Sequence, residues 1–168
     1  TADFAWTLLM SVARRLAGCV GFSDRLGKSR GVATSNLAAA DIGTNSIHLV
    51  VARMGGNDRF EVIEREREMV RLGESAGDMK RLSPAAMARG VEVLDRFRQV
   101  AAIHGADVRA VATSAVREAA NRHVFIQRAW DEAGVEVEVI SGFEEARLIH
   151  LGVLQAVPGF DRQMLVVD

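Results

Sequence analysis

Leu37-Ala-Ala-Ala-Asp41-Ile42-Gly43-Thr44-Asn45-Ser46-Ile47-His48-Leu49-Val50-Val51-Ala52 holds two apolar runs separated by a short polar turn. Leu37 to Ile42 reads as a strand, and Ile47, Leu49 and Val51 alternate with His48, Val50 and Ala52 as a second. Gly43 lets the chain reverse between them. Small residues after a glycine leave amide N–H groups and hydroxyls able to face an anion, so the turn reads either as an ordinary hairpin or as a phosphate cradle. Asp41, at its entrance, offers the carboxylate oxygen that a hard cation such as magnesium prefers.

Downstream, Gly55-Gly56-Asn57-Asp58 is a further turn signal, and Phe60, Val62 and Ile63 lead a third strand running to Arg67. Three strands joined by short turns form an antiparallel meander. In the run Glu64-Arg65-Glu66-Arg67-Glu68, alternating charges suggest a solvated strand face with cross-strand pairs.

The period then changes. Ser83-Pro84 supplies an N-cap followed by proline, and Met87, Val91, Leu94, Phe97 and Ala101 form a helical stripe ahead of Gly105. Val108 to Thr113 reads as a strand and Asn121 to Ala133 as a helix, N-capped by Asn121 and stopped by Gly134. Val135 to Ile140 is the next strand, Phe143 to Ala156 a helix stopped by Pro158-Gly159, and Met164 to Val167 the start of another strand. A meander followed by alternating helix and strand calls for an α/β fold with a mixed sheet flanked by helices. That order is the one expected of a ribonuclease-H-like lobe of the actin-like ATPase and sugar kinase superfold.

Residues 1–36 read as an N-terminal extension or linker and residues 37–168 as the folded lobe. The first residue is not Met, and Val166-Val167-Asp168 closes the sequence directly after an apolar run, so the chain is expected to be a fragment.

The chain has 168 residues, 49% of them apolar and 26% charged, with a net charge of −1. This is the composition of a soluble globular protein and provides no overall basic field for nucleic acid. One cysteine, Cys19, excludes an intramolecular disulfide framework and fits a reducing cytoplasm. The longest apolar candidate, Phe4 to Ala13, is too short to span a bilayer and has the wrong flanks for a secretory signal. A cytoplasmic protein that binds neither nucleic acid nor membrane is the expectation.

Two further constellations carry chemistry. In Ser141-Gly-Phe-Glu144-Glu145-Ala-Arg147, Ser141 and Glu144 fit a capping box, which employs Glu144 and leaves Glu145 free. Glu145 is then either a reactive carboxylate or compensation for the helix dipole. Thr113-Ser-Ala-Val-Arg117 follows a strand that should end on the same sheet edge as the Asp41 turn. Arg117 is either a solvated surface residue or a planar fork for phosphate oxygens. The four histidines, His48, His104, His123 and His150, show no metal-ligand spacing and are expected on the surface or in packing roles.

Together these stretches are similar in order and spacing to one family. Ala39-Ala-Asp41-Ile-Gly-Thr-Asn-Ser-Ile-His-Leu-Val50, Ala112-Thr-Ser-Ala-Val-Arg117 with Asn121, Ile140-Ser-Gly-Phe-Glu-Glu-Ala-Arg-Leu-Ile149 and Leu165-Val-Val-Asp168 resemble the exopolyphosphatase/guanosine pentaphosphate phosphohydrolase family. The resemblance covers residues 37–168. It implies the N-terminal lobe of a magnesium-dependent phosphatase releasing orthophosphate from inorganic polyphosphate, guanosine pentaphosphate or both.

Carried over by position, Gly43, Thr44, Asn45 and Ser46 would grip substrate phosphate, with Arg117 contacting its oxygens. Glu145 would be the base that activates water, its pKa raised by burial or a neighbouring phosphate. Asp41 and Asp168 would hold magnesium, and Asp168, catalytic together with Glu145, would open a second loop that in the family continues Ile-Gly-Gly-Gly-Ser-Thr-Glu and supplies a further catalytic glutamate. Phe143 stands where many relatives have a polar residue. A second lobe and a homodimer are implied for the full-length protein, and the isolated fragment is expected to be inactive. The competing expectations are an ATP-dependent sugar kinase or ATPase of the same superfold, and a non-catalytic module binding alarmone or phosphate.

Overall fold

A computed structural model describes residues 35–54, 60–74 and 81–156. Strand β1 (Ser35–Ile42) lies at the centre of a five-stranded sheet of order β3-β2-β1-β4-β5. On one side it pairs antiparallel with β2 (Ser46–Met54), which pairs antiparallel with β3 (Phe60–Met69). On the other side it pairs parallel with β4 (Val108–Ala112), and β4 pairs parallel with β5 (Glu136–Val139). The helices are α1 (Pro84–Ile103), α2 (Ser114–Glu118), α3 (Arg122–Ala133) and α4 (Gly142–Ala156). The mixed sheet flanked by helices is the fold class expected from the order of periods, and β1 begins at Ser35, just ahead of the expected Leu37.

Strand alternation sorts the sheet into two faces. Ala38, Ala40 and Ile42 of β1, with Ile47, Leu49 and Val51 of β2, are buried in one core with Val91, Leu94 and Phe97 of α1 and Phe125 of α3. Ala39, Asp41, Val50 and Val111 are also buried but belong to the opposite face. An aspartate among apolar residues on that second face is the first sign of a site.

The expected helix signals act locally. Ser83 accepts a hydrogen bond from the Ala86 amide at 3.1 Å, with Pro84 at the first helical position. At the end of α3, Gly134 takes the left-handed conformation at φ 64°, which costs a glycine little and lets its amide close onto Trp130 O.

Several expectations are corrected. Residues after Thr113 form the short helix α2, whose five residues are too few for a periodic signal. Asn121 stands before α3 but makes no side-chain cap. Its Oδ1 accepts from Leu82 N and its Nδ2 donates to Leu82 O, both at 2.9 Å, so this buried amide braces the entry to α1. In the β3 charge run, Arg96 of α1 pairs with Glu68, and His104 lies 3.8 Å from Glu64. Glu64, Glu66 and Glu68 share the α1 side because their register partners Val51, Leu49 and Ile47 do. A cross-strand pair does occur nearby, between Arg53 and Glu61 at 3.4 Å.

The turn at Gly55–Asp58, the helix stop at Pro158, the strand from Met164, Cys19, residues 1–34 and Asp168 lie outside the described residues. Among the described residues, no helix is long and apolar enough to cross a membrane.

Candidate active site at the strand ends

Parallel pairing brings the C-terminal ends of β1, β4 and β5 to one edge, where open α/β sheets bind ligands. Backbone bonds carry the alignment past the strands: Thr113 N donates to Ile42 O at 3.1 Å, and Ile140 N to Ala112 O at 3.1 Å. Asp41, Arg117 and Glu145 depart from these three ends. The shared edge expected for Asp41 and Arg117 is thus present, and parallel register creates it.

The turn after Asp41 is held from outside. Gly43 N donates to Ser46 O at 3.1 Å across the hairpin, and the carbonyls are taken by the segment following β3. Asn45 O accepts from Val70 N at 2.9 Å and Arg71 N at 2.8 Å, while Thr44 O accepts from Gly73 N at 3.0 Å. A Cβ on Gly73 would lie 2.5 Å from Thr44 Cγ2, so a side chain there would force the Thr44 side chain to move. Arg71 has a φ of 52°, unusual for a residue with a side chain and a sign of local constraint. Neither residue stands out in the sequence; the only local signal is a glycine closing Met69-Val-Arg-Leu-Gly73.

Two hydroxyl contacts extend the cradle. Thr44 Oγ1 and Ser114 Oγ are 2.9 Å apart, tying the loop to α2, and Ser46 Oγ lies 2.8 Å from His48 Nε2. His48, expected in a surface or packing role, therefore touches the loop. Its pKa is lowered by burial and secondarily by the Arg67 charge, which favours the neutral ring. Beside the loop lies a pocket of about 120 Å³, lined by Thr44, Leu72, Gly73, Arg81, Ser114 and Glu118 among others. It adjoins the cradle from the α2 side and is not bordered by Asp41, Arg117 or Glu145.

Arg117 and Glu145 meet directly. Arg117 Nη1 donates to Glu145 Oε2 at 2.9 Å and to Ile140 O at 3.2 Å. Glu145 is thus not free, as the capping argument had it, but is held across the gap between α2 and α4. The capping argument holds for Ser141, whose Oγ accepts from Glu144 N at 3.1 Å; the Glu144 carboxylate takes the guanidinium of Arg147. Phe143 is 81% exposed on the outside of this turn.

Asp41 is the most perturbed group. It is buried, and its Oδ1 has no hydrogen-bond partner among the described residues. Burial, and then the negative charge of Glu145, push its pKa up to about 7. A buried acceptor without a donor, close enough to a second carboxylate to feel its charge, is a set that a cation would complete. Among the described residues no three His, Cys, Asp or Glu side chains cluster to form an all-protein metal cage. Magnesium does not require one, because it is usually bound by one or two carboxylates with water and substrate phosphate. The residues present fit that ion.

Comparison with known proteins adds an independent line. The family model described as the Ppx/GppA phosphatase family matches residues 49–168, a stretch that includes Arg117, Glu145 and Asp168 but begins after the Asp41 loop. An exopolyphosphatase from Cytophaga hutchinsonii is similar in structure with a TM-score of 0.70 and 38% identity, over 74% of this chain and 40% of that one. An Aquifex aeolicus member of the Ppx/GppA family gives a TM-score of 0.62 and 29% identity, over 67% of this chain and 37% of that one. The chain therefore spans about two fifths of the length of these solved relatives.

Proposed function

The chain belongs to the Ppx/GppA phosphatase family, and from that premise we propose that it forms the phosphate-gripping lobe of a hydrolase acting on terminal phosphoanhydrides. The substrates are inorganic polyphosphate, guanosine pentaphosphate or both, and the product is orthophosphate. The observation that carries this reading is the convergence of a buried carboxylate at Asp41, whose Oδ1 has no hydrogen-bond partner among the described residues, with the Arg117–Glu145 pair beside a glycine-containing turn.

Hydrolysis of a phosphoanhydride requires a positioned water and stabilisation of charge on the transferring phosphoryl oxygens, with little covalent participation by protein. Gly43, Thr44, Asn45 and Ser46 hold the terminal phosphate, and the backbone bonds from Val70, Arg71 and Gly73 keep the turn in place. Arg117 contributes a permanent positive charge to the phosphoryl oxygens. Glu145 accepts the proton of the attacking water at its carboxylate. Asp41 would hold magnesium, together with Asp168 from the family motif; when bound, the ion neutralises phosphate charge. Because the chain spans about two fifths of its solved relatives, the activity is proposed for the complete protein, in a cytoplasmic setting consistent with its cysteine content.

Glu145→Gln in the complete protein tests the reading. Orthophosphate release from polyphosphate should fall on the order of 10²- to 10⁴-fold, the usual share of a general base, with affinity for the chain nearly unchanged. Unaltered turnover would remove Glu145 from the mechanism and favour a module that binds phosphate without hydrolysing it.

A further inference from the structure

The Arg117–Glu145 contact has a geometry that a simple phosphate ligand would not need. Among the described residues, the Arg117 side chain donates only through Nη1, which reaches both Ile140 O and Glu145 Oε2. Ile140 is the last residue before the turn into α4, and Glu145 is in the first turn of that helix, so one nitrogen binds both ends of the same bend. Gly142 lies beside the guanidinium, where a Cβ would sit 3.8 Å from Nη2 and 4.0 Å from Cζ, so its lack of a side chain leaves room next to Nη2. Arg117 is itself held at its backbone, where its amide donates to Thr113 O at 2.8 Å and its carbonyl accepts from Arg122 Nη1 at 2.9 Å. The side chains of Arg117 and Glu145 are 25% and 21% exposed, partly withdrawn from solvent screening.

We infer that Arg117 is a positioning residue for Glu145 in addition to being a ligand of substrate phosphate, with Nη1 orienting the carboxylate while Nη2 and Nε face the phosphate. The inference rests on the proposed role of Glu145 as base. A planar fork can serve two acceptors in fixed relative directions, whereas an ammonium is a compact point charge. One guanidinium spanning base and phosphate sets their separation, and displacement of a catalytic group by about 1 Å is worth on the order of 10²-fold in rate. The arrangement also links phosphate capture to base orientation, because the group that contacts phosphate is the one that aims the carboxylate.

A double-mutant cycle on the complete protein separates the two roles, with inorganic polyphosphate as substrate and orthophosphate release as readout. Arg117→Lys keeps a positive charge for phosphate but loses the fork. In the parent protein, kcat should fall on the order of 10- to 100-fold, and KM should rise. In a Glu145→Gln background the same change should raise KM as before but lower kcat by less than about three-fold, because there is no base left to misplace. If Arg117→Lys does not fold, Arg117→Gln takes its place in the cycle, and Glu145→Asp supplies a second background in which the base is retained but drawn back from Nη1. There too the kcat penalty of the arginine change should shrink. An equal kcat loss in every background would overturn the positioning role and leave Arg117 as a substrate ligand alone. Undiminished turnover of Glu145→Gln by itself would overturn the base and this inference with it.

Discussion

Asp41→Asn should make the protein more stable while destroying its activity. A carboxyl raised from 3.8 to about 7 favours the protonated form in the folded state, corresponding to about 4 kcal/mol between the two limits. The folded chain binds this proton more tightly than the unfolded chain does, so stability falls as pH rises from 3.8 to about 7 and stays low above that. This is the reverse of a salt-bridged aspartate. At pH 8 without divalent cations, Asp41→Asn removes the buried charge and should gain up to about 4 kcal/mol. At pH 5 the gain should shrink to roughly a third of that, because the folded carboxyl is then protonated. Urea unfolding of the complete protein, followed by circular dichroism at the two pH values in EDTA, measures the difference. Adding magnesium should stabilise the parent protein and not the asparagine variant, narrowing the gap at pH 8. A variant no more stable than the parent at pH 8 in EDTA, or a difference independent of pH, would refute the burial argument and with it the case for a cation at Asp41.

Gly73→Ala places a methyl 2.5 Å from Thr44 Cγ2 and should shift the loop, raising KM for polyphosphate more than it lowers kcat and costing about 1–3 kcal/mol in urea unfolding. An unchanged KM would show that the loop accommodates the methyl without affecting its grip. Asn121→Leu leaves the Leu82 amide and carbonyl without their 2.9 Å partners and should cost on the order of 2 kcal/mol, read from the unfolding midpoint. Asn121→Ser, if Asn121 were merely a helix cap, would restore stability; with its bracing role it should not.

Local chemistry made much of this molecule legible. The alternation of Ile47, Leu49 and Val51, the Ser83-Pro84 start and the Gly134 stop each depend on neighbours a few residues away, and such signals survive in a linear reading. The motifs around Asp41, Arg117 and Glu145 were legible only as an ordered set that resembles one family, since each taken alone also fits an ordinary hairpin, a surface arginine or a helix-dipole carboxylate. The charge run on β3 was misread in part because its carboxylates answer to Arg96 and His104 on a helix far along the chain, not only to the neighbouring strand. Asn121 was read as a cap because a cap is a local act, while its partner lies 39 residues away.

By itself, then, the sequence determined the order of all the elements except the short helix α2, the mixed sheet, and the three residues proposed to carry the chemistry. Tertiary structure decided how those residues are used. It paired Arg117 with Glu145 across 28 positions, brought Thr44 against Ser114 across 70, and made Gly73 the wall of the loop. It also selected Asp41 as the carboxyl with the raised pKa, because burial and the approach of Glu145 are properties of packing. Periodicity constrains which face a side chain takes; only the assembled sheet sets the distance between charges, and at these separations distance governs the electrostatics.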